Sequence, residues 1–168
     1  MPGIVKSKEN KVLRKILIPV DGDSESNRAI IWYAENMKRD GDLVIFLHIL
    51  SPILPSALSG LSKESELMPA GSAYYVTEKN MQTGRLLCQQ LVHEANKRGI
   101  TSEAMIQIDT KPGPAIIKII TEQNIDNVIM FKRNLGFFKR AITGGSVSSY
   151  VLHHSHIAVS IISQVNNN

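Results

Sequence analysis

Five short apolar runs, each separated from the next by a longer amphipathic or polar stretch, limit what this chain can fold into more than any other feature. They are Lys15-Ile-Leu-Ile-Pro-Val20, Leu43-Val-Ile-Phe-Leu-His-Ile49, Ala104-Met-Ile-Gln-Ile108, Val128-Ile-Met-Phe131 and Ile157-Ala-Val-Ser-Ile-Ile162. Runs this short and this apolar read as strands buried on both faces. The stretches between them carry helical spacing instead. Ile30, Tyr33, Ala34 and Met37 fall at i, i+3, i+4 and i+7 and form one stripe. Gly84, Leu87, Cys88, Leu91, Val92 and Ala95 repeat the pattern, as do Ala115, Ile116, Ile119 and Ile120, and then Val147, Tyr150, Val151 and His154. Strands alternating with helices require parallel strands joined by right-handed crossovers. The expected fold is therefore α/β, with helices on both faces of a doubly wound sheet.

Punctuation fits this plan. Asp21-Gly-Asp-Ser24 is a turn, with Asp23 or Ser24 placed to cap the first helix, and Asp40-Gly41-Asp42 ends that helix. Gly99 stops the second helix, and Pro112-Gly-Pro114 opens the third. Residues 50–76 carry Pro52, Pro55, Pro69, Gly60 and Gly71 and read as one long loop: a lid, a binding loop or a mobile segment. The expected organisation is a flexible tail over 1–12, one domain over 13–163 and a second tail over 164–168.

Composition closes several other routes. With 43% apolar and 20% charged residues in 168, the chain is neither disordered nor collagenous nor a coiled coil. No apolar stretch reaches the roughly 18 residues of a membrane span, so no membrane partner is expected. The single Cys88 rules out an internal disulfide framework and a multi-cysteine zinc site, which makes the cytoplasm the expected compartment. A net charge of +4 is too mild to imply nucleic acid. The nearest basic cluster, Lys132, Arg133, Lys139 and Arg140, suits a smaller phosphate-bearing partner.

Open parallel sheets bind ligands beyond the carboxyl ends of their strands, where strand order reverses. The loops after the first and fourth strands, 19–24 and 131–146, line that crevice. Asp21 stands there either as a ligand contact or as a plain turn residue. Lys132 and Arg133 either hold phosphates or sit solvated in a loop. Gly144 to Ser146 reads as an anion nest or as a helix cap. Phe137 and Phe138 are either a partner anchor or packing for the long loop. His153, His154 and His156 do not share a helix face, so no metal site is assigned. His48, at a strand end, reads as a satisfied structural histidine, and Cys88, in its apolar stripe, as a packed thiol. No catalytic residue is assigned and no general base is recognisable.

Taken in order, several of these segments resemble the universal stress protein family. They are Lys15 to Gly22, Ala29 with Trp32-Tyr33 and Met37-Lys-Arg39, Phe46 to Ile49, Pro112 to Ile116, Asp126 to Met130, and Gly145-Ser-Val-Ser-Ser-Tyr-Val-Leu152. The resemblance covers about 13 to 163. It implies a three-layer α/β/α, Rossmann-like fold, a five-stranded parallel sheet in the order 3-2-1-4-5, and dimerisation through the last strand, Ile157 to Ile162. It also implies ATP as ligand, with Mg²⁺. The contact positions carried over are Pro19, Asp21, Ile49, Met130, Lys132, Arg133, Asn134, Gly144, Gly145, Ser146, Val147 and Ser148. Nucleotide-binding members carry Gly-x2-Gly-x9-Gly-Ser/Thr after the fourth strand, because glycine lets backbone amides approach phosphate. Here Phe131 and Asn134 stand in the two leading glycine positions, and ten residues rather than nine precede Gly145. Taking Gly144-Gly145 as the last pair restores the spacing but loses the hydroxyl. Two functions follow as expectations. One is an adenine-nucleotide switch or sensor with at most weak ATP hydrolysis. The other is a homodimeric module that takes protein partners and no nucleotide. A phosphate-ester hydrolase is a third class, which nothing in the sequence demands.

Overall fold

The computed structural model describes residues 12–22, 25–53, 66–67, 76–131 and 147–162. Its central strand is β1 (Arg14–Val20), preceding α1 (Glu25–Asn36) and β2 (Asp42–Leu50). Two-residue strands β3 (Glu66–Leu67) and β4 (Val76–Thr77) then form a small antiparallel ladder. The long loop expected over 50–76 is therefore interrupted by local pairing, which no apolar run in the sequence announces. The rest of the chain runs α2 (Glu78–Lys97), β5 (Ser102–Ile108), α3 (Pro112–Glu122), β6 (Asn127–Phe131), α4 (Val147–His154) and β7 (Ala158–Ile162).

The main sheet is parallel and ordered β5-β2-β1-β6-β7, the expected 3-2-1-4-5 arrangement of its five strands. Alternation along the strands sorts the core into two layers. Ile16, Ile18, Val20, Val44, Phe46 and Ile129 face α1 and α2, where Ala29, Ile30, Tyr33, Leu91 and Ala95 meet them. Leu17, Ile45, Leu47, Val128 and Met130 face α3 and α4, against Ile116, Ile119, Ile120 and Val151. The stripes read for the first three helices are their buried or half-buried faces, whereas in α4 Val151 is buried and Val147 half-buried while Tyr150 and His154 of that stripe are exposed. Thr77 caps α2 by accepting a hydrogen bond from the Asn80 amide at 3.1 Å. Gly113 lets α3 approach α4 closely, since a Cβ there would lie 2.6 Å from Tyr150 Cδ1.

The amino end of the sheet is closed by one polar network. Asp42 was expected to end α1; instead it is the first residue of β2 and is buried. Arg14 grips it with two bonds, Nε to Oδ1 at 2.8 Å and Nη2 to Oδ2 at 2.7 Å. The Tyr33 hydroxyl and the Arg39 amide also donate to Oδ2. Burial alone would raise the Asp42 carboxyl, but the bonds from Arg14, Tyr33 and the Arg39 amide prevail and hold it below the usual carboxylate range. Burial, and then the bond to Asp42, push the Tyr33 phenol up.

Candidate functional site

The carboxyl end of the sheet is built differently. β1 pairs with β2 along its whole length, from Arg14↔Asp42 to Val20↔His48. Its pairing with β6 covers only Ile16↔Asn127 and Leu17↔Val128. The β1–β6 ladder stops at Leu17, two residues before Pro19, which has no N–H to donate, while β6 stays paired with β7 as far as Phe131↔Ile162. Strand order reverses at this β1–β6 boundary, since β2 and β5 lie on one side and β7 on the other. A doubly wound sheet takes its ligand in the crevice outside the strand ends at such a boundary.

Several expected contact residues share one face of that crevice. Ile49, Met130 and Val147 belong to the layer covered by α3 and α4, and alternation with Leu17 puts half-buried Pro19 on the same side. Asp21 is exposed directly after β1, and Gly22 turns the chain with φ +90°. Ser148 is half-buried in the first turn of α4. The expectations at Lys132, Arg133, Asn134, Gly144, Gly145 and Ser146 lie outside the described residues, as do Phe137, Phe138 and the Asp23 or Ser24 cap.

Phe131 goes the other way. Its half-buried ring joins the α1 and α2 layer and meets Trp32 edge to face, with centroids 6.4 Å apart and planes at 81°. The side chain at the first glycine position thus turns toward the face opposite Met130 and Ile49.

Two residues matter more here than the sequence suggested. His48 Nδ1 lies 3.1 Å from the Val20 carbonyl oxygen, one peptide before Asp21. Gly84 of α2 sits over the same ring, so its place in the helical stripe reflects close approach rather than apolar packing alone. A glycine inside a helical stripe is the clue the sequence offered. Among the described residues, no group of three or more His, Cys, Asp or Glu side chains is placed to hold a metal ion. No helix among them is long and apolar enough to cross a membrane. Burial pushes the Cys88 thiol up, as suits a packed side chain.

The model of the universal stress protein family matches residues 13–163. The chain belongs to the universal stress protein family. A universal stress protein A family protein of Schizosaccharomyces pombe is 26% identical over 157 residues, which cover 92% of this chain and 47% of that protein. The chain thus spans about half the length of the curated relative it matches. Among solved structures, the fold is shared with a universal stress protein of Archaeoglobus fulgidus in complex with dAMP. The TM-score is 0.61 at 17% identity, with 90% of this chain and 98% of that one covered. It is shared equally with an Arabidopsis thaliana family member with AMP bound, at TM-score 0.60 and 17% identity, covering 92% and 94%.

Proposed function

We propose that this universal stress protein binds an adenine nucleotide in the cleft between β1 and β6 and acts as a stress-response switch or sensor. The observation that carries this reading is the reversal of strand order between β1 and β6, with exposed Asp21 leaving the end of β1 at that point. Pro19, Ile49, Met130 and Val147 supply the apolar floor of that cleft for a base. Asp21 would hold the ribose side. Lys132, Arg133, Asn134, the Gly144 and Gly145 amides, Ser146 and Ser148 would hold the phosphates of ATP with Mg²⁺. The fit rests on residue types: carboxylate, hydroxyls and a helix N-terminus at one cleft. Related structures carrying dAMP and AMP support adenine as the base. The Phe131 ring does not oppose this, because Trp32 holds it on the other face.

The same reading has the protein working in the cytoplasm as a homodimer. β7 pairs on one side with β6, and among the described residues its other edge pairs with no strand. An edge of this composition, AVSII, favours pairing with a second copy.

Calorimetric titration with ATP and Mg²⁺, beside AMP and buffer controls, tests the proposal. Saturable binding that weakens in Lys132→Ala, Arg133→Ala or Gly145→Val is the expected result. Absence of heat and of any thermal shift at millimolar ATP would refute it and favour the nucleotide-free interaction module.

A further inference from the structure

We infer that His48 is a positioning residue for the Asp21 turn, acting through the hydrogen bond that its Nδ1–H donates to the Val20 carbonyl. Its functional meaning rests on the reading of the cleft as the ligand site. The geometry stands without it.

A carbonyl oxygen can only accept, so the 3.1 Å contact calls for a proton on Nδ1, which in a neutral ring is the Nδ1–H tautomer. His48 is the residue opposite Val20 in the last pair of the β1–β2 ladder. The Val20 C=O and the Asp21 N–H belong to one planar peptide unit. Anchoring that oxygen therefore sets the plane from which the Asp21 Cα departs. Half-buried His48 lies on the α1 and α2 face, two residues beyond Phe46. Gly84 of α2 closes over the imidazole, where a Cβ would lie 3.1 Å from His48 Cδ2 and 3.6 Å from Nε2. The ring is thus clamped between the end of β1 and a helix that carries no side chain at that point. Leu87, one turn further along α2, reaches the same turn, since a Cβ on Gly22 would lie 3.4 Å from Leu87 Cδ2. The acidic turn is seated on α2 through His48 and Leu87. A histidine that only filled space would not need its donor aimed at this carbonyl.

The test uses the full chain with ¹⁵N-labelled histidine at pH 8, and the variants His48→Phe, His48→Asn and Gly84→Ala. Phe keeps a ring and removes the donor. Asn places an N–H near the position of Nδ1. Gly84→Ala leaves His48 in place but presses on it. Long-range ¹H–¹⁵N spectra should show the Nδ1–H tautomer in the wild type. The Asp21 and Gly22 amide resonances should move in His48→Phe and in Gly84→Ala, and return toward wild type in His48→Asn. Affinity for ATP with Mg²⁺ should fall about threefold to tenfold in His48→Phe, the worth of one hydrogen bond. His48→Asn should restore it. A dominant Nε2–H tautomer, unmoved Asp21 and Gly22 amides in His48→Phe, or an unchanged affinity in that variant would each overturn the inference. If the wild-type protein binds no nucleotide, the proposed function falls instead, and the tautomer and amide shifts alone decide the role of His48.

Discussion

Replacing Asp42 with Ala removes the acceptor on which the amino end of the sheet converges. Four donors meet its two oxygens: Arg14 Nε and Nη2, the Tyr33 hydroxyl and the Arg39 amide. The carboxylate is 4% exposed and the Arg14 side chain 21% exposed. Removing one partner of a buried ion pair costs about 3–5 kcal/mol, because the other charge is left uncompensated. Water can reach part of the Arg14 guanidinium, and Nη2 keeps its 2.9 Å bond to the Met37 carbonyl. The lower end, about 3 kcal/mol, is therefore expected. That is a large share of the roughly 5–15 kcal/mol by which a domain is stable. Tyr33→Phe removes one bond without changing shape and should cost about 1 kcal/mol. Urea unfolding followed by Trp32 fluorescence measures both, since Trp32 is the single tryptophan. The pH dependence supplies an independent check. The folded Asp42 carboxyl titrates below its unfolded value, so between the two the unfolded chain binds more protons. Its contribution is complete above the unfolded value, about 3.9. It is lost as pH falls through the lower folded value. Asp42→Asn should thus be less stable at neutral pH and lose less of its stability on acidification than the wild type. A cost under about 1 kcal/mol for Asp42→Ala, or an acid limb as steep in Asp42→Asn as in the wild type, would refute the reasoning.

Three further outcomes are expected. Gly113→Ala should lower stability by about 1–3 kcal/mol through overpacking, because the new methyl meets Tyr150 Cδ1 and Cγ at 2.6 and 2.9 Å; thermal melts read this, and Gly113→Ala with Tyr150→Ala should recover part of it. Phe131→Ala should cost about 2 kcal/mol, less than the 3–5 of a fully buried Phe, and shift Trp32 emission while leaving ATP affinity within about twofold; a large gain in affinity would mean that the ring obstructs the cleft. Cys88 should react slowly with a disulfide reagent at pH 8 in the native protein and rapidly in urea, since burial both covers the thiol and raises it.

How much of this was legible depended on the kind of physics involved. Layering and strand type follow from apolar periodicity, and the five runs and the first three stripes carry that openly. Ile30 and Tyr33 could be placed inside without knowing what they touch. Asp42 could not, because an Asp beside Gly41 looks like a helix terminus. Only the register Arg14↔Asp42 shows that a cation 28 residues away makes it a buried partner. The β3–β4 ladder was equally hidden, since two-residue strands leave no periodicity to read. At the cleft, the sequence placed Pro19, Ile49, Met130 and Val147 at strand and helix ends. It could not say which way Phe131 points. That depends on strand phase, because neighbours along a strand face opposite layers.

The phase of β6 bears directly on the altered glycine pattern. A glycine in such a position serves two separate needs, space for a side chain and freedom for the backbone. The Phe131 ring answers the first, since packing against Trp32 removes it from the face holding Met130 and Ile49. The second concerns only whether amides near residue 131 reach a phosphate, and Phe131, as the last residue of β6, keeps extended pairing with Ile162. On the proposed nucleotide reading, the amide of Phe131 is committed to the sheet and the start of α4 is left as the described element that would face a phosphate. The Arg14–Asp42–Tyr33 network and the proposed ligand site stand at opposite ends of β1, whose seven residues span about 20 Å. Perturbations that far apart, with no shared partners, act additively. Asp42→Ala should therefore weaken the fold and leave the affinity of the folded protein for ATP unchanged, whereas His48→Phe should change affinity by more than its effect on stability explains.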